Sequence, residues 1–263
     1  MKRAYIDIPE GQIHYQIEGR GEYLLLLHQG MFSSEEFTKI MPILGRYYQV
    51  IARDMLGYGK SDPNPPDYRI EDYARADLNF LNALGITRTS IVGVRTGAKI
   101  AVEIAVAYPK VVNKLVLCAM RPYSPEEREV RRKSLTYSSV GIEKDGSHFT
   151  SRLWRKVKEA APQATPEVWN KVVIAAAMAS GGAFHGARAS FIYDLEKRLP
   201  LVKSPALLIS KSENTLQSQL QMVSSSLPQC RVSTIEEASG FVALEKPQEF
   251  AEVILDFLKK PRI

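Results

Sequence analysis

Ile91-Val92-Gly93-Val94-Arg95-Thr96-Gly97-Ala98 joins a β-branched run to a helix-forming one through two glycines. It runs on into Lys99-Ile100-Ala101-Val102-Glu103-Ile104-Ala105. A short β-branched run ends at Gly93, and a helix-period pattern begins near Thr96. Between them lies a five-residue turn with Gly at each end. That is the layout of a nucleophile elbow, a sharp strand-to-helix turn that lifts one side chain above a sheet. The glycines let strand and helix approach closely and let the central residue take a strained backbone conformation. A nucleophile there would be Ser, Cys or Asp. Here the lifted residue is Arg95, which stays protonated and attacks nothing at accessible pH.

Upstream of the turn, Ala4–Ile8 and Gln12–Ile17 alternate apolar and polar residues around Glu10-Gly11, which predicts a β-hairpin. Tyr23–Leu27 is a continuous apolar run, as a central strand covered on both faces requires. It ends in His28-Gln29-Gly30-Met31. Ser34 can cap a helix running on through Glu35, Glu36 and Phe37 to Leu44. Val50–Arg53 predicts the next strand, and Ile70–Leu84 a helix that stops at Gly85. Downstream, Thr96–Tyr108 predicts a helix halted by Pro109, and Val112–Ala119 another strand. From Arg121 to Arg198 the pattern is helical without a convincing strand, and Thr165-Pro166-Glu167 is a strong helix start. Strands return at Ala206–Ser210 and Arg231–Ile235. Helices follow near Leu216–Leu227 and at Pro247–Lys259.

Composition narrows the function classes. The chain has 263 residues, is 45% hydrophobic and carries a formal charge of +6. The charges are mixed in sign along the chain and no nucleic-acid motif accompanies them, so no nucleic-acid partner is expected. The N-terminus lacks an apolar signal region, and the longest aliphatic cluster, Leu24 to Leu27, is too short to span a bilayer. A soluble, cytoplasmic protein without a membrane partner is expected. Cys118 and Cys230 lack the spacing of a metal site or redox pair and read as buried thiols. Gly59-Lys60-Ser61 looks like the end of a P-loop, but Asp54 stands where that motif needs Gly. No G-x-G-x-x-G follows the first strand. Neither a cofactor nor a metal is expected.

Taken together, Leu24–Gly30, Asp54–Asp62, Gly93–Gly97, Pro205–Asn214 and Ser239–Leu258 resemble the α/β-hydrolase superfamily, over essentially the whole chain. The resemblance implies an α/β fold with a mostly parallel eight-stranded sheet, helices on both faces and an inserted helical cap. The domains would be a first core part at 1–120, the cap at 121–198 and a second core part at 199–263. It puts the nucleophile at Arg95, the acid at Asn214 and the catalytic His at Gly240. None of the three side chains suits its role. The resemblance also gives backbone N–H groups of Gly30 and Thr96 as oxyanion donors, with Gln29 departing from the usual Gly.

Arg95 sits before a helix N-terminus, the positive end of the helix dipole, and therefore needs an anion. Glu213 is one candidate, and a bound carboxylate or phosphate is the other. The resulting reading is a non-hydrolytic protein that binds a small, partly apolar anion under the cap. Arg95, Gly30, Thr96 and Gln29 would hold it, with His28 and His185 as further candidates. A second reading stays open: a hydrolase, lyase or cyclase with relocated chemistry, drawing on His28, His185 or Glu213.

Overall fold

The computed structural model describes residues 1–134, 143–179, 185–210, 217–236 and 240–259. Its strands are β1 (Lys2–Ile8), β2 (Gly11–Glu18), β3 (Tyr23–Leu27), β4 (Gln49–Arg53), β5 (Thr89–Val94), β6 (Val112–Cys118), β7 (Ala206–Ser210) and β8 (Cys230–Thr234). They form one eight-stranded sheet in the order β1-β2-β4-β3-β5-β6-β7-β8. Only β2 runs antiparallel to its neighbours, β1 and β4, and the remaining pairs are parallel. The helices are α1 (Met41–Leu44), α2 (Ile70–Ala83), α3 (Thr96–Ala107), α4 (Pro125–Ser134), α5 (Arg155–Ala160), α6 (Pro166–Ala177), α7 (His185–Ile192), α8 (Leu195–Arg198), α9 (Gln217–Ser226), α10 (Val242–Glu245) and α11 (Pro247–Lys259).

The sheet is buried on both faces, which is why its central strands read as unbroken apolar runs. Leu25 and Leu27 of β3 join a core with Phe80 of α2 and Ile100 of α3. Leu24 and Leu26 join a second core with Met41 of α1 and Phe250 of α11. In α11 the buried residues Phe250, Ala251, Ile254, Leu255 and Leu258 make the single stripe that a surface helix lays on a core. Arg53 and Asp77 tie β4 to α2 through a fully buried fork, with Nε and Nη2 donating to the two carboxylate oxygens at 2.5 and 2.6 Å.

One expected helix differs. Instead of a continuous helix to Leu44, a 3₁₀ turn covers Ser34–Phe37 and α1 starts at Met41. Pro42 has no N–H to give back to Thr38, so the α-helical ladder cannot run through it. The cap is Ser33, not Ser34, its side chain accepting from the Glu35 N–H. The Thr165 cap of α6 is present, its hydroxyl accepting from the Val168 N–H. Cys118 is buried and Cys230 partly so, and both are free thiols.

Between β6 and β7 the described residues carry helices and no strand. α5 and α6 pack through Val157, Val168 and Val172 onto Phe32 and Phe241, which stand on the turns beyond β3 and before α10. α7 packs against α3 and α4. Among the described residues, no helix is long and apolar enough to cross a membrane.

Candidate functional site

The turn between β5 and α3 forms as its glycines require. A Cβ on Gly93 would strike the Gly97 carbonyl, and one on Gly97 would strike the carbonyl of Leu27. Strand, turn and helix therefore sit closer than any other residue permits. Arg95, at the apex, has φ 48° and ψ −103°. That conformation costs about 1–3 kcal/mol for a non-glycine residue. It is held by the Arg95 N–H, which donates to the Cys118 carbonyl at 2.9 Å.

Arg95 opens onto a cavity of about 600 Å³ at the C-terminal ends of β3, β5, β6 and β7. Open α/β sheets place ligands at that edge. Gln29, Gly30, Arg95, Thr96 and Gly240 all line it, so five of the residues singled out from the sequence come together. Thr96 Oγ1 lies 3.3 Å from the point a Cβ on Gly30 would occupy. Among the described residues, neither the Gly30 nor the Thr96 N–H donates to an acceptor in the turns around them.

Arg95 and Gly240 meet directly. A Cβ on Gly240 would overlap Nη2 of Arg95 and stand 3.2 Å from Cζ. The guanidinium thus fills the room into which a side chain at 240 would project. Gly240 itself has φ +115°, a conformation that favours glycine. Among the described residues the guanidinium has no hydrogen-bond or ion-pair partner.

A buried carboxylate lies near it. Glu36 accepts from the Gln29 N–H at 3.0 Å and from Gln29 Nε2 at 2.6 Å. Gln29 Nε2 also reaches the Gly240 carbonyl at 3.3 Å. Burial pushes the Glu36 carboxyl up to about 7, against the pull of the Gln29 hydrogen bonds and the Arg95 charge.

The histidines are placed elsewhere. His28 is fully buried, with Nδ1 on the Gln29 carbonyl at 2.8 Å and Nε2 accepting the Met55 N–H at 2.9 Å. Both ring nitrogens are spent, and neither faces the cavity. Burial first, then the Arg53 charge, lowers its pKa to about 3, so the ring is neutral. His185 opens α7 outside the cavity lining, partly buried, and its Nδ1 has no hydrogen-bond partner. Burial and then Arg188 lower its pKa. Glu213 and Asn214 lie outside the described residues.

Lys99, Arg121 and Tyr123 also line the cavity, and the sequence does not single them out. Lys99 is one helical turn beyond Arg95, and Arg121 and Tyr123 follow β6. Spacing alone could have found Lys99, because residues four apart share a helix face. The described lining includes the basic residues Arg95, Lys99 and Arg121 and no Asp or Glu. Its remainder is largely apolar, with Met31, Val157, Val172 and Phe191 among it. Cys118 also lines the cavity, but burial pushes its thiol up to about 12, far from the thiolate that nucleophilic chemistry needs.

A family model described as alpha/beta hydrolase fold matches residues 22–200. An enol-lactonase from Burkholderia xenovorans LB400 superposes with a TM-score of 0.80 at 20% identity, covering 98% of this chain and 100% of that one. A 2-hydroxy-6-oxo-6-(2'-aminophenyl)hexa-2,4-dienoic acid hydrolase of Metapseudomonas resinovorans is 24% identical over 95% of this chain and 88% of its own length. A 2-hydroxy-6-oxo-6-phenylhexa-2,4-dienoate hydrolase of Comamonas testosteroni is 26% identical over 97% and 93%. An uncharacterised protein of Mycobacterium tuberculosis is 34% identical over 103 residues, a match spanning 39% of this chain and 30% of that protein. The fold, the turn at Arg95 and the matched residues agree: this chain belongs to the alpha/beta hydrolase fold family.

Proposed function

We propose that this protein holds a small, partly apolar carboxylate on the Arg95 guanidinium and does not hydrolyse its ligand through a serine nucleophile. The observation that carries this reading is the pairing of Arg95 with Gly240. Where the family presents a nucleophile there is a fixed cation. Where the histidine would stand there is no side chain, and the guanidinium occupies its space.

The cavity's chemistry supports an anion. A guanidinium offers a carboxylate two forked hydrogen bonds. The Gly30 and Thr96 N–H groups and the positive end of α3 add to it. Arg121 extends the cationic side, and apolar side chains from α5, α6 and α7 suit the rest of the ligand. The two dienoate hydrolases act, by their names, on carboxylic acids, which favours a carboxylate here. Segment 121–198 acts in this reading as a cap between core parts 1–120 and 199–263, and the partner is a small molecule.

A hydrolytic alternative needs a relocated base. His28 does not supply it, because both of its nitrogens are already bonded. Incubation with a fluorophosphonate probe tests the point. The intact mass should stay unchanged. Stoichiometric labelling of any serine contradicts the reading.

A further inference from the structure

We propose that Lys99 is a carbonyl-capturing amine, so that the ligand is an oxo acid whose carboxylate rests on Arg95 and whose aldehyde or ketone carbon condenses with Lys99. The carboxylate half of this rests on the anion reading of Arg95. The amine half does not.

Lys99 is an unusual lysine. It is 2% exposed yet lines the cavity, one turn along α3 from Arg95. Its Nζ donates to the Ser190 carbonyl at 2.6 Å and lies 4.4 Å from the centre of the Tyr123 ring. Every charge bearing on it from neighbouring elements has the wrong sign for an ammonium. Arg121 and Arg131 crowd the same ring at 5.0 and 4.8 Å, and Arg128 stands on the facing helix α4. The carboxylates nearby are committed elsewhere. Glu103, one turn further on, is held by Tyr193 and Arg198, Glu127 by Arg121, and Asp194 by Arg128. Burial, then Arg121, Arg128 and Arg131, bring the amine down to about 7. A lysine desolvated beside other cations keeps its lone pair and becomes a nucleophile near neutral pH.

The Ser190 carbonyl is one of the last in α7 and has no helical partner, so Lys99 also caps that helix. A neutral amine still donates one N–H to it and leaves its lone pair for the cavity. That pair attacks the carbonyl carbon, and the C=O π pair moves to oxygen. The oxygen takes a proton as the nitrogen gives one up, forming a carbinolamine. Loss of one water leaves a C=N bond. No oxidant or reductant is required.

Wild-type protein at pH 7 is treated with sodium cyanoborohydride and either 4-oxobutanoate or neutral propanal, and the reduced adducts are mapped by peptide mass spectrometry. An exposed lysine keeps only about one part in a few thousand as free amine at that pH. Lys99 should therefore be labelled by both probes, roughly tenfold or more above any other lysine. In Arg95→Met, labelling by 4-oxobutanoate should fall while labelling by propanal stays. Equal 4-oxobutanoate labelling in both proteins removes the anchor and leaves the amine. Labelling of Lys99 no faster than surface lysines, with both probes, overturns the proposal whatever Arg95 does. The mapping is made on the wild type, so a variant that folds poorly does not obscure it.

Discussion

The Arg95 guanidinium occupies the volume that a side chain on Gly240 would need. Residue 95 is raised on the turn between β5 and α3, and residue 240 approaches from the segment before α10. A long side chain at 95 and any side chain at 240 exclude one another. The pair behaves as one feature of the cavity floor.

That exclusion predicts non-additivity. Gly240→His places a Cβ on top of Nη2 and adds backbone strain at φ +115°. In an Arg95→Ala background the collision disappears and only the strain remains. Denaturant unfolding of both single variants and the double should give a coupling of about 0.5–3 kcal/mol, with the double variant better than the sum. Additive losses would mean the two side chains do not compete.

A second prediction concerns pH. The folded Glu36 carboxyl titrates near 7, above its ordinary 4.5, so its stabilising contribution is full below 4.5 and is lost as pH rises through 7. His28 is depressed from 6.5 to about 3, so its contribution is full above 6.5 and is lost as pH falls towards 3. Between pH 4.5 and 6.5 the two slopes oppose. Glu36→Gln removes one of them, and acidification should then destabilise the variant more steeply than wild type, by about 1.4 kcal/mol per pH unit. Parallel stability curves from urea unfolding at several pH values would contradict the buried Glu36 assignment.

Asp77→Ala should cost about 3–5 kcal/mol, because it strands the Arg53 guanidinium in the core. Arg53 Nη1 already lacks a partner, so no spare acceptor waits for it. Replacing both residues by apolar ones, Arg53→Met with Asp77→Leu, should recover much of the loss. The midpoints of urea denaturation measure both effects. A loss under about 1 kcal/mol in Asp77→Ala would place the pair with exposed ones.

The local features of the fold were legible in the sequence. The run Tyr23–Leu27 coincides with β3 because a strand buried on both faces must be apolar throughout. Gly85 ended α2 because its φ of +69° suits the residue after a helix. Pro42 was equally visible, and it divided the helix expected before Leu44. The site was half legible. The residues on the turns after β3 and β5 follow from strand ends and reach the cavity. Spacing puts Lys99 on the helix face below Arg95, but its burial, like that of Glu36, is not legible, because a charged residue in a helical pattern reads as exposed. Their burial depends on packing beyond their own helical turns, α7 over Lys99 and Gln29 over Glu36. His28 was misleading for the same reason: the N–H that occupies its Nε2 belongs to Met55, on a different loop.

A carboxylate anchored on Arg95 must bind less tightly once the guanidinium is removed. The most direct test is calorimetric titration of wild type and Arg95→Ala with phenylacetate and with its neutral counterpart phenylacetamide. Wild type should bind phenylacetate more tightly than the amide. Arg95→Ala should lose about 1.5–3 kcal/mol for the acid, roughly ten- to a hundredfold, and little for the amide. Arg95→Lys should recover little, since a point charge does not reproduce the fork. Equal affinity of wild type and Arg95→Ala for phenylacetate would show that Arg95 is not the anchor.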